Sequence, residues 1–224
     1  MCSSDLSNNV TNTPWPLYED IEENQSNGTG GNFSTLVTCG TITSDTTLDQ
    51  NLASGGATCI NINADDITLD CANYNITGDQ TASTYGINST GNNNITITNC
   101  NVYNFSSGVY LRNTNDSTLT NIVSNNNTQY GIYLFTWTSR NNFTNITTEM
   151  NDDYGFFFSA TSDRNNVTDF SAIAMGTGNG GMNLNGNGNI IDCKGGTILG
   201  NLSSSSNGVI SNAGNNTIKK IGRA

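Results

Sequence analysis

Few residue types in this sequence could carry out chemistry, and histidine is absent. That absence excludes a histidine general base and histidine-bound zinc or copper. Hydrolysis of a glycosidic bond needs two carboxylates roughly 5–10 Å apart on either side of the sugar. The candidates for such chemistry are the adjacent pair Asp152-Asp153 and two arginines, Arg140 and Arg164. Asn-Asn follows each arginine, a context typical of solvated turns, so we assign no catalytic residue and keep these four as candidates only.

A second group of carboxylates, Asp65, Asp66 and Asp70, lies within one short segment. Calcium prefers carboxylate and carbonyl oxygens as ligands, so this group is the candidate for a calcium site. The sequence has no CxxC pair, which argues against structural zinc. We expect no other cofactor.

Charge and composition exclude several classes of protein. The 224 residues carry 7 Lys and Arg against 18 Asp and Glu, a net charge of −11. Nucleic acids and anionic membranes require a basic surface, so neither is an expected partner. No run of 18 apolar residues occurs, so we expect no membrane insertion within this chain.

Two columns of residues recur along the chain from about residue 36, each at a nearly constant interval. One column begins with a glycine before an apolar residue, at Gly86, Gly108, Gly131, Gly155, Gly181 and Gly208. The other column is apolar, at Leu69, Ile97, Leu119, Phe143, Val167, Ile190 and Ile218. A fixed period in the twenties indicates one supersecondary unit stacked on copies of itself.

Each unit is predicted to contain short strands. The segments alternate with period two, as in Val109, Tyr110 and Leu111, and no 3.6-residue apolar stripe is present. A propeller blade would need about 40 residues. We therefore predict an all-β parallel β-helix (solenoid) of about six to seven coils of 22–28 residues, with Asn-rich corners, since Asn tolerates left-handed backbone.

Four segments carry a family resemblance: CGTITSDTTLDQNL (39–52), CINI (59–62), ADDITLDCANYNITG (64–78) and NNNITITNCNVYNFSSGVYL (92–111). They resemble the right-handed parallel β-helix proteins of the NosD-like and pectate-lyase-like group, which includes carbohydrate-binding and sugar-hydrolase domains. The resemblance covers about residues 36–219 and implies the fold rather than an activity. It also implies an N-terminal cap at residues 36–63. Polygalacturonase-like members pair Asp with a His that this chain lacks, and pectate-lyase-like members use calcium-bound Asp with Arg or Lys as base.

The cysteines divide into two groups in this framework. Cys39 and Cys59 bracket the cap, and we expect a disulfide between them. Cys71 and Cys100 fall near one column on adjacent coils, about 4.8 Å apart, within reach of a disulfide. Because that column continues with Ile122, Ile146 and Phe170, we interpret both mainly as buried core thiols and leave the second disulfide open.

The alternation places Tyr110, Tyr133 and Phe157 on the outside of three consecutive coils, with Trp137 at their margin. An exposed aromatic strip of this kind is the predicted ligand-binding surface, because sugar rings stack on aromatic faces. The alternative is an aromatic ladder that only stabilises the sheet.

Fifteen Asn-x-Ser/Thr sequons occur, a modest excess over chance for this composition. The glycosylation candidates within the solenoid are Asn75, Asn94, Asn104, Asn115, Asn142, Asn145 and Asn166. They are consistent with an extracellular or cell-surface protein.

Both ends of the chain resemble translated sequencing adapter. MCSSDL (1–6) and KIGRA (220–224) match the two complementary adapter ends, so we expect both to be scars and the protein to continue into further domains of a longer chain. Residues 7–35, which hold both prolines, are predicted to form an acidic, polar linker.

These observations favour a non-catalytic stalk or carbohydrate-contacting module that meets a polysaccharide or surface glycan. The alternatives are a polysaccharide lyase or glycoside hydrolase that acts on acidic polysaccharide, and a NosD-like accessory protein. Near-uniform coils favour a non-catalytic role, because a catalytic cleft would need long loops.

Overall fold

The computed structural model describes residues 33–174, 180–192, 198–199, 207–212 and 214–219. The predicted scars (1–6 and 220–224) and residues 7–32 of the predicted linker lie outside these ranges. The described residues form twenty β-strands and contain no helix that is long and apolar enough to cross a bilayer. The first ten strands are β1 (Ser34–Leu36), β2 (Gly40–Ile42), β3 (Thr46–Leu48), β4 (Leu52–Ala53), β5 (Ile60–Ile62), β6 (Thr68–Asp70), β7 (Asn75–Thr77), β8 (Tyr85–Thr90), β9 (Thr96–Tyr103) and β10 (Ser107–Arg112). The others are β11 (Thr118–Asn125), β12 (Tyr130–Phe135), β13 (Asn142–Asn151), β14 (Tyr154–Phe158), β15 (Asn166–Ala174), β16 (Gly180–Leu184), β17 (Ile190–Asp192), β18 (Ile198–Leu199), β19 (Asn207–Ser211) and β20 (Thr217–Lys219).

All strand pairs are parallel, and the strands form two sheets. Sheet 1 has the order β1-β3-β6-β9-β11-β13-β15-β17-β20, with β4, β7 and β18 pairing beside this path. Sheet 2 has the order β2-β5-β8-β10-β12-β14-β16-β19. Registered partners in sheet 2 come from consecutive coils, from Gly40 and Ile60 at one end to Met182 and Val209 at the other. The predicted all-β solenoid is therefore confirmed.

The long strands of sheet 1 bend at residues with left-handed backbone. Asn99, Asn121 and Asn145 have φ of 55°, 56° and 53°, and Asp169 takes the equivalent place in β15 at 53°. Asn and Asp adopt this conformation more readily than other L-residues. The bend divides sheet 1 into two sides, so each coil has three sides when sheet 2 is counted.

The core lies inside the coil and is built from stacked columns. Ile87, Val109, Ile132, Phe156 and Met182 follow one another in register and are fully buried. Stacking of like residues at the interstrand spacing of about 4.8 Å buries each coil against the next.

A ladder of buried asparagines closes one corner of the coil. The side-chain oxygen of Asn165 accepts hydrogen bonds from the backbone N–H of Asn141 at 2.9 Å and from its Nδ2 at 3.1 Å. Asn189 repeats this arrangement with Asn165 at 2.8 and 3.2 Å. The amide of each asparagine also donates to a carbonyl of the preceding corner, as Asn165 does to Thr138 at 3.0 Å. The ladder therefore satisfies backbone groups that the corner would otherwise leave buried without partners.

Two disulfides join neighbouring coils at the N-terminal end. Cys39 is bonded to Cys59, as expected, with a Cα–Cα distance of 4.5 Å. Cys71 and Cys100 are also bonded, with a Cα–Cα distance of 4.8 Å. The interpretation of Cys71 and Cys100 as core thiols is therefore wrong: both are fully buried, but registered stacking brings the two sulfurs together.

Candidate functional site

The candidate site is an aromatic surface on the outside of sheet 2. Its strands share the pattern of an outward residue, a glycine, an inward residue and a second outward residue, as in Tyr130, Gly131, Ile132 and Tyr133. The glycine is required by close approach, because a Cβ on Gly131 would lie 2.6 Å from the carbonyl oxygen of Gly155 in the next coil. This contact holds successive coils in the same register.

Seven aromatic side chains occupy the outward positions of β8, β10, β12 and β14, and we call them the aromatic face: Tyr85, Tyr110, Tyr130, Tyr133, Phe135, Tyr154 and Phe157. Tyr110, Tyr133 and Phe157 are in register, as the alternation predicted. Their ring centroids are 5.3 and 5.4 Å apart, and each pair is T-shaped. Such edge-to-face pairs contribute about 0.5–1.5 kcal/mol each beyond the area they bury.

The predicted strip is less exposed than expected, because further aromatic residues pack against it. Tyr85 stacks on Tyr110 with centroids 4.3 Å apart and planes within 10°. Tyr130 lies 4.6 Å from Tyr133 and 5.0 Å from Phe157. Tyr110 is consequently only 9% exposed, whereas Tyr133 and Phe157 are half-buried. The surface is a continuous layer of rings that is several side chains wide.

Sequence reasoning did not identify Tyr85, Tyr130, Phe135 or Tyr154 as part of this surface. The signal was available, because a Tyr-Gly pair recurs at 85–86, 130–131 and 154–155 and places a tyrosine before three of the repeating glycines. Ser107 interrupts that column between Tyr85 and Tyr130. Its hydroxyl is buried and has no hydrogen-bond partner.

Charged side chains of opposite sign stand at the two ends of these strands. The guanidinium of Arg112 lies 5.8 Å from the centre of the Phe135 ring, in cation–π range. Asp153 precedes β14, and burial, together with the neighbouring Asp152, raises the pKa of its carboxyl. Asp153 in turn contributes to a raised pKa of the Tyr130 phenol, after the larger effect of burial.

Trp137 is the most exposed aromatic residue described, at 65%. It lies in the turn after β12, and no other described aromatic ring contacts it. Thr136 and Trp137 both have positive φ, 33° and 52°, which is costly for side chains of this shape. The next coil fixes the turn, because Ser159 and Thr161 accept hydrogen bonds from the two backbone N–H groups at 2.9 Å.

The tyrosines of the aromatic face are poor candidates for a catalytic base. Burial raises the pKa of Tyr110 and of Tyr133 to about 12. At neutral pH roughly one phenol in a hundred thousand would then be ionised. The face can therefore provide rings and hydroxyl groups for contact but very little phenolate.

The four residues named as catalytic candidates are not brought together. Arg140 and Arg164 occupy equivalent corner positions with φ of 60° and 55°, in line with Asp66, Asn94 and Asp116 of the preceding coils. Arg140 donates two hydrogen bonds of 2.6 Å to the Asp116 carboxylate, and both side chains are half exposed. These arginines lie at the corner that leads into sheet 1, whereas Asp152 and Asp153 lie before β14 of sheet 2.

Of the calcium candidates, Asp65 and Asp66 share one corner, and Asp70 lies apart from them. Asp65 and Asp66 lie at the corner before β6, where they accept bonds from the backbone of Asn93 and the side chain of Asn94 in the next coil. Asp70 lies at the end of β6 and accepts bonds from Ala72 and Asn99. Within the described ranges, no group of three or more His, Cys, Asp or Glu side chains is placed to hold a metal ion. Each of the three carboxylates accepts at least one hydrogen bond from the chain.

Most glycosylation candidates belong to exposed amide ladders. The side-chain nitrogens of four of them donate to the preceding coil: Asn94 to Asp66, Asn115 to Asn93, Asn145 to Asn121 and Asn166 to Asn142. Asn104 and Asn142 accept such bonds, and Asn75 is exposed in β7. Attachment of a glycan at those four nitrogens remains a prediction. Each attachment would have to be compatible with the hydrogen bond that the nitrogen donates.

Comparisons with known proteins agree with this architecture. No curated protein matches the sequence. Among solved structures, an alginate lyase from Paenibacillus sp. str. FPU-7 superposes with a TM-score of 0.58 at 14% identity, over 82% of this chain and 74% of the lyase. At that identity the similarity concerns the fold. A family model described as "Right handed beta helix region" matches residues 37–216, and the chain therefore belongs to the right-handed β-helix family.

Proposed function

We propose that this domain is a non-catalytic module that holds a carbohydrate chain against the aromatic face. The observation that carries the proposal is the continuous layer of seven rings on four consecutive strands of one sheet. Sugar rings bring apolar C–H faces to such surfaces, while phenol hydroxyls bond their substituents. A monomeric protein with a purely structural outer face would more usually present polar side chains there.

The charge of the protein favours a neutral glycan. The chain carries a net charge of −11, and a polyanion of uronic acids would be repelled. Arg112 is the cation at the aromatic face, whereas Arg140 is paired with Asp116. A polymer of neutral hexoses lying along the rod would meet the rings of successive coils without that repulsion.

A lyase or hydrolase acting on polysaccharide is the competing function. The raised pKa of Asp153 beside Tyr130 is the one observation that favours it, because perturbed carboxyls are common in active sites. Asp153 is partly buried and Asp152 is exposed, but the two are adjacent in one turn rather than on opposite sides of a groove. The tyrosines with a pKa of about 12 would supply very little base. We therefore favour carbohydrate binding over catalysis.

The two disulfides support an extracellular or cell-surface setting, because such bonds persist in oxidising compartments. A glycan-contacting role fits that setting.

Calorimetric titration with neutral hexasaccharides of glucose and of N-acetylglucosamine tests the proposal, with an oligouronate of equal length as the charged comparison. We expect Tyr133→Ala to weaken neutral-glycan binding at least tenfold, about 1.4 kcal/mol. Tyr103→Ala is the matched control, because Tyr103 lies in β9 of sheet 1, away from the aromatic face. Absence of binding to every oligosaccharide would refute the proposal, and release of new reducing or unsaturated ends would favour the enzyme.

A further inference from the structure

A regular array of hydroxyl groups covers the outside of the first side of sheet 1. In β9, β11, β13 and β15 an inward core residue is flanked by two outward polar residues: Thr96 and Thr98, Thr118 and Thr120, Asn142 and Thr144, and Asn166 and Thr168. We call these eight positions the threonine array. The inward residues between them, Ile97, Leu119, Phe143 and Val167, are fully buried and fix the sheet from below.

The array has the spacing of a two-dimensional lattice. Alternate residues of a parallel strand are about 6.6 Å apart, and equivalent residues on neighbouring strands are about 4.8 Å apart. In a tetrahedral network of O–H···O bonds of about 2.75 Å, second-neighbour oxygens repeat at about 4.5 Å, and the layers repeat at about 7.3 Å. The spacing between strands exceeds the oxygen spacing by about 0.3 Å, and the spacing along a strand falls short of the layer spacing by about 0.7 Å. Over four coils the mismatch along the rod therefore grows to only about 1 Å.

The hydroxyl groups of the first two strands are free to contact solvent. Thr96, Thr98, Thr118 and Thr120 are half-buried, and their side chains form no hydrogen bond with any described residue. In the next two strands Thr144 and Thr168 share a bond of 3.2 Å, and Asn166 donates to Asn142 at 3.1 Å. The hydrogen bonds therefore order the side chains of the last two strands, while the first two strands offer hydroxyl and methyl groups to water.

The array is uncharged within these four coils. In the column that contains Thr98, Asp70 of β6 precedes the array and Asp192 of β17 follows it, so carboxylates border the array at both ends. Ionised groups bind their own hydration shells tightly, whereas threonines orient water without holding it in a competing geometry. The neighbouring side of sheet 1 lacks this regularity, because Asn101, Val123, Thr147 and Ser171 are in register there.

We propose that the threonine array binds the ordered water lattice of an ice surface. The sheet is pre-formed, so little conformational entropy is lost on contact. This surface lies on sheet 1 and is independent of the aromatic face on sheet 2.

Ice-growth microscopy of the purified chain tests the proposal. We expect faceted crystals and a measurable gap between melting and growth temperatures. Thr120→Lys places a long cation at the centre of the array and should reduce that gap at least tenfold. Thr147→Lys is the matched control, because Thr147 is an outward threonine on the other side of sheet 1, and it should keep full activity.

Circular dichroism verifies the fold of both variants. If Thr120→Lys does not fold, Thr98→Lys, nearer the border of the array, replaces it and should also reduce the gap. Round crystals without a temperature gap in the unmodified protein would overturn the proposal, as would equal activity of Thr120→Lys and Thr147→Lys. Adsorption to crystalline cellulose that Thr120→Lys abolishes, without any effect of the unmodified protein on ice, would also overturn it, because the array would then recognise a polysaccharide.

Discussion

Replacement of Asn165 by alanine tests whether the buried asparagine ladder stabilises the solenoid. Asn165 is 1% exposed, and its replacement leaves every apolar side chain of the core in place. The substitution removes the acceptor of the Asn141 backbone N–H and the donor to the Thr138 carbonyl. Both groups lie at buried residues, so neither gains water in exchange.

The magnitude follows from these two orphaned groups. A buried polar group without a partner costs about 1–3 kcal/mol, so the pair predicts a loss of about 4 kcal/mol in the free energy of unfolding. Asn166→Ala is the matched control, since it makes the same chemical change one residue later. Its amide bonds an exposed partner, Asn142, at 3.1 Å, and its loss should cost about 0.5 kcal/mol.

Urea unfolding followed by circular dichroism measures the free energy of unfolding of both variants. The slope of that free energy against urea concentration is compared between them. We expect the midpoint of Asn165→Ala to fall far below that of Asn166→Ala at similar slope. If the two variants lose stability to within about 1 kcal/mol of each other, the assignment of the ladder as a stabilising element is wrong.

Two further predictions concern pH and the disulfides. Tyr110 and Tyr133 have a pKa of about 12 in the folded protein, above the ordinary value of 10.0, so their stabilising effect is complete below pH 10 and is lost as pH rises towards 12. Allowing for partial exposure, each tyrosine should contribute on the order of 1–2 kcal/mol to the free energy of unfolding. The urea midpoints at pH 8.5 and pH 11 should therefore differ less in Tyr133→Phe than in the unmodified protein. An equal difference in the two proteins would contradict this. The disulfides close segments of 20 and 29 residues, so removing either should cost about 3 kcal/mol. Urea midpoints of Cys71→Ala/Cys100→Ala measure the second of these, and thiol labelling of Cys71 or Cys100 in the folded, unreduced protein would contradict the pairing.

The periodic residues of the sequence were sufficient to predict the solenoid. Gly86, Gly108 and Gly131 repeat because a side chain at that place would collide with the next coil, and Ile97, Leu119 and Phe143 repeat because each must face the interior. Both constraints act on every coil, so they appear as columns in the sequence. Register also follows from the period. For that reason the sequence alone assigns Tyr110, Tyr133 and Phe157 to one column, as the structure has them.

The sequence by itself determined the column of each residue and the side of the sheet that it faces, whereas only the tertiary structure decided which columns are neighbours. The period does not encode the cross-section of the coil, which depends on where each strand bends and how side chains lean. Tyr85 therefore covers Tyr110, and the sulfurs of Cys71 and Cys100 meet, although neither contact follows from spacing alone. In the same way Asp66 and Asp70, four residues apart, have different surroundings, because Asp66 precedes β6 and Asp70 is the last residue of that strand.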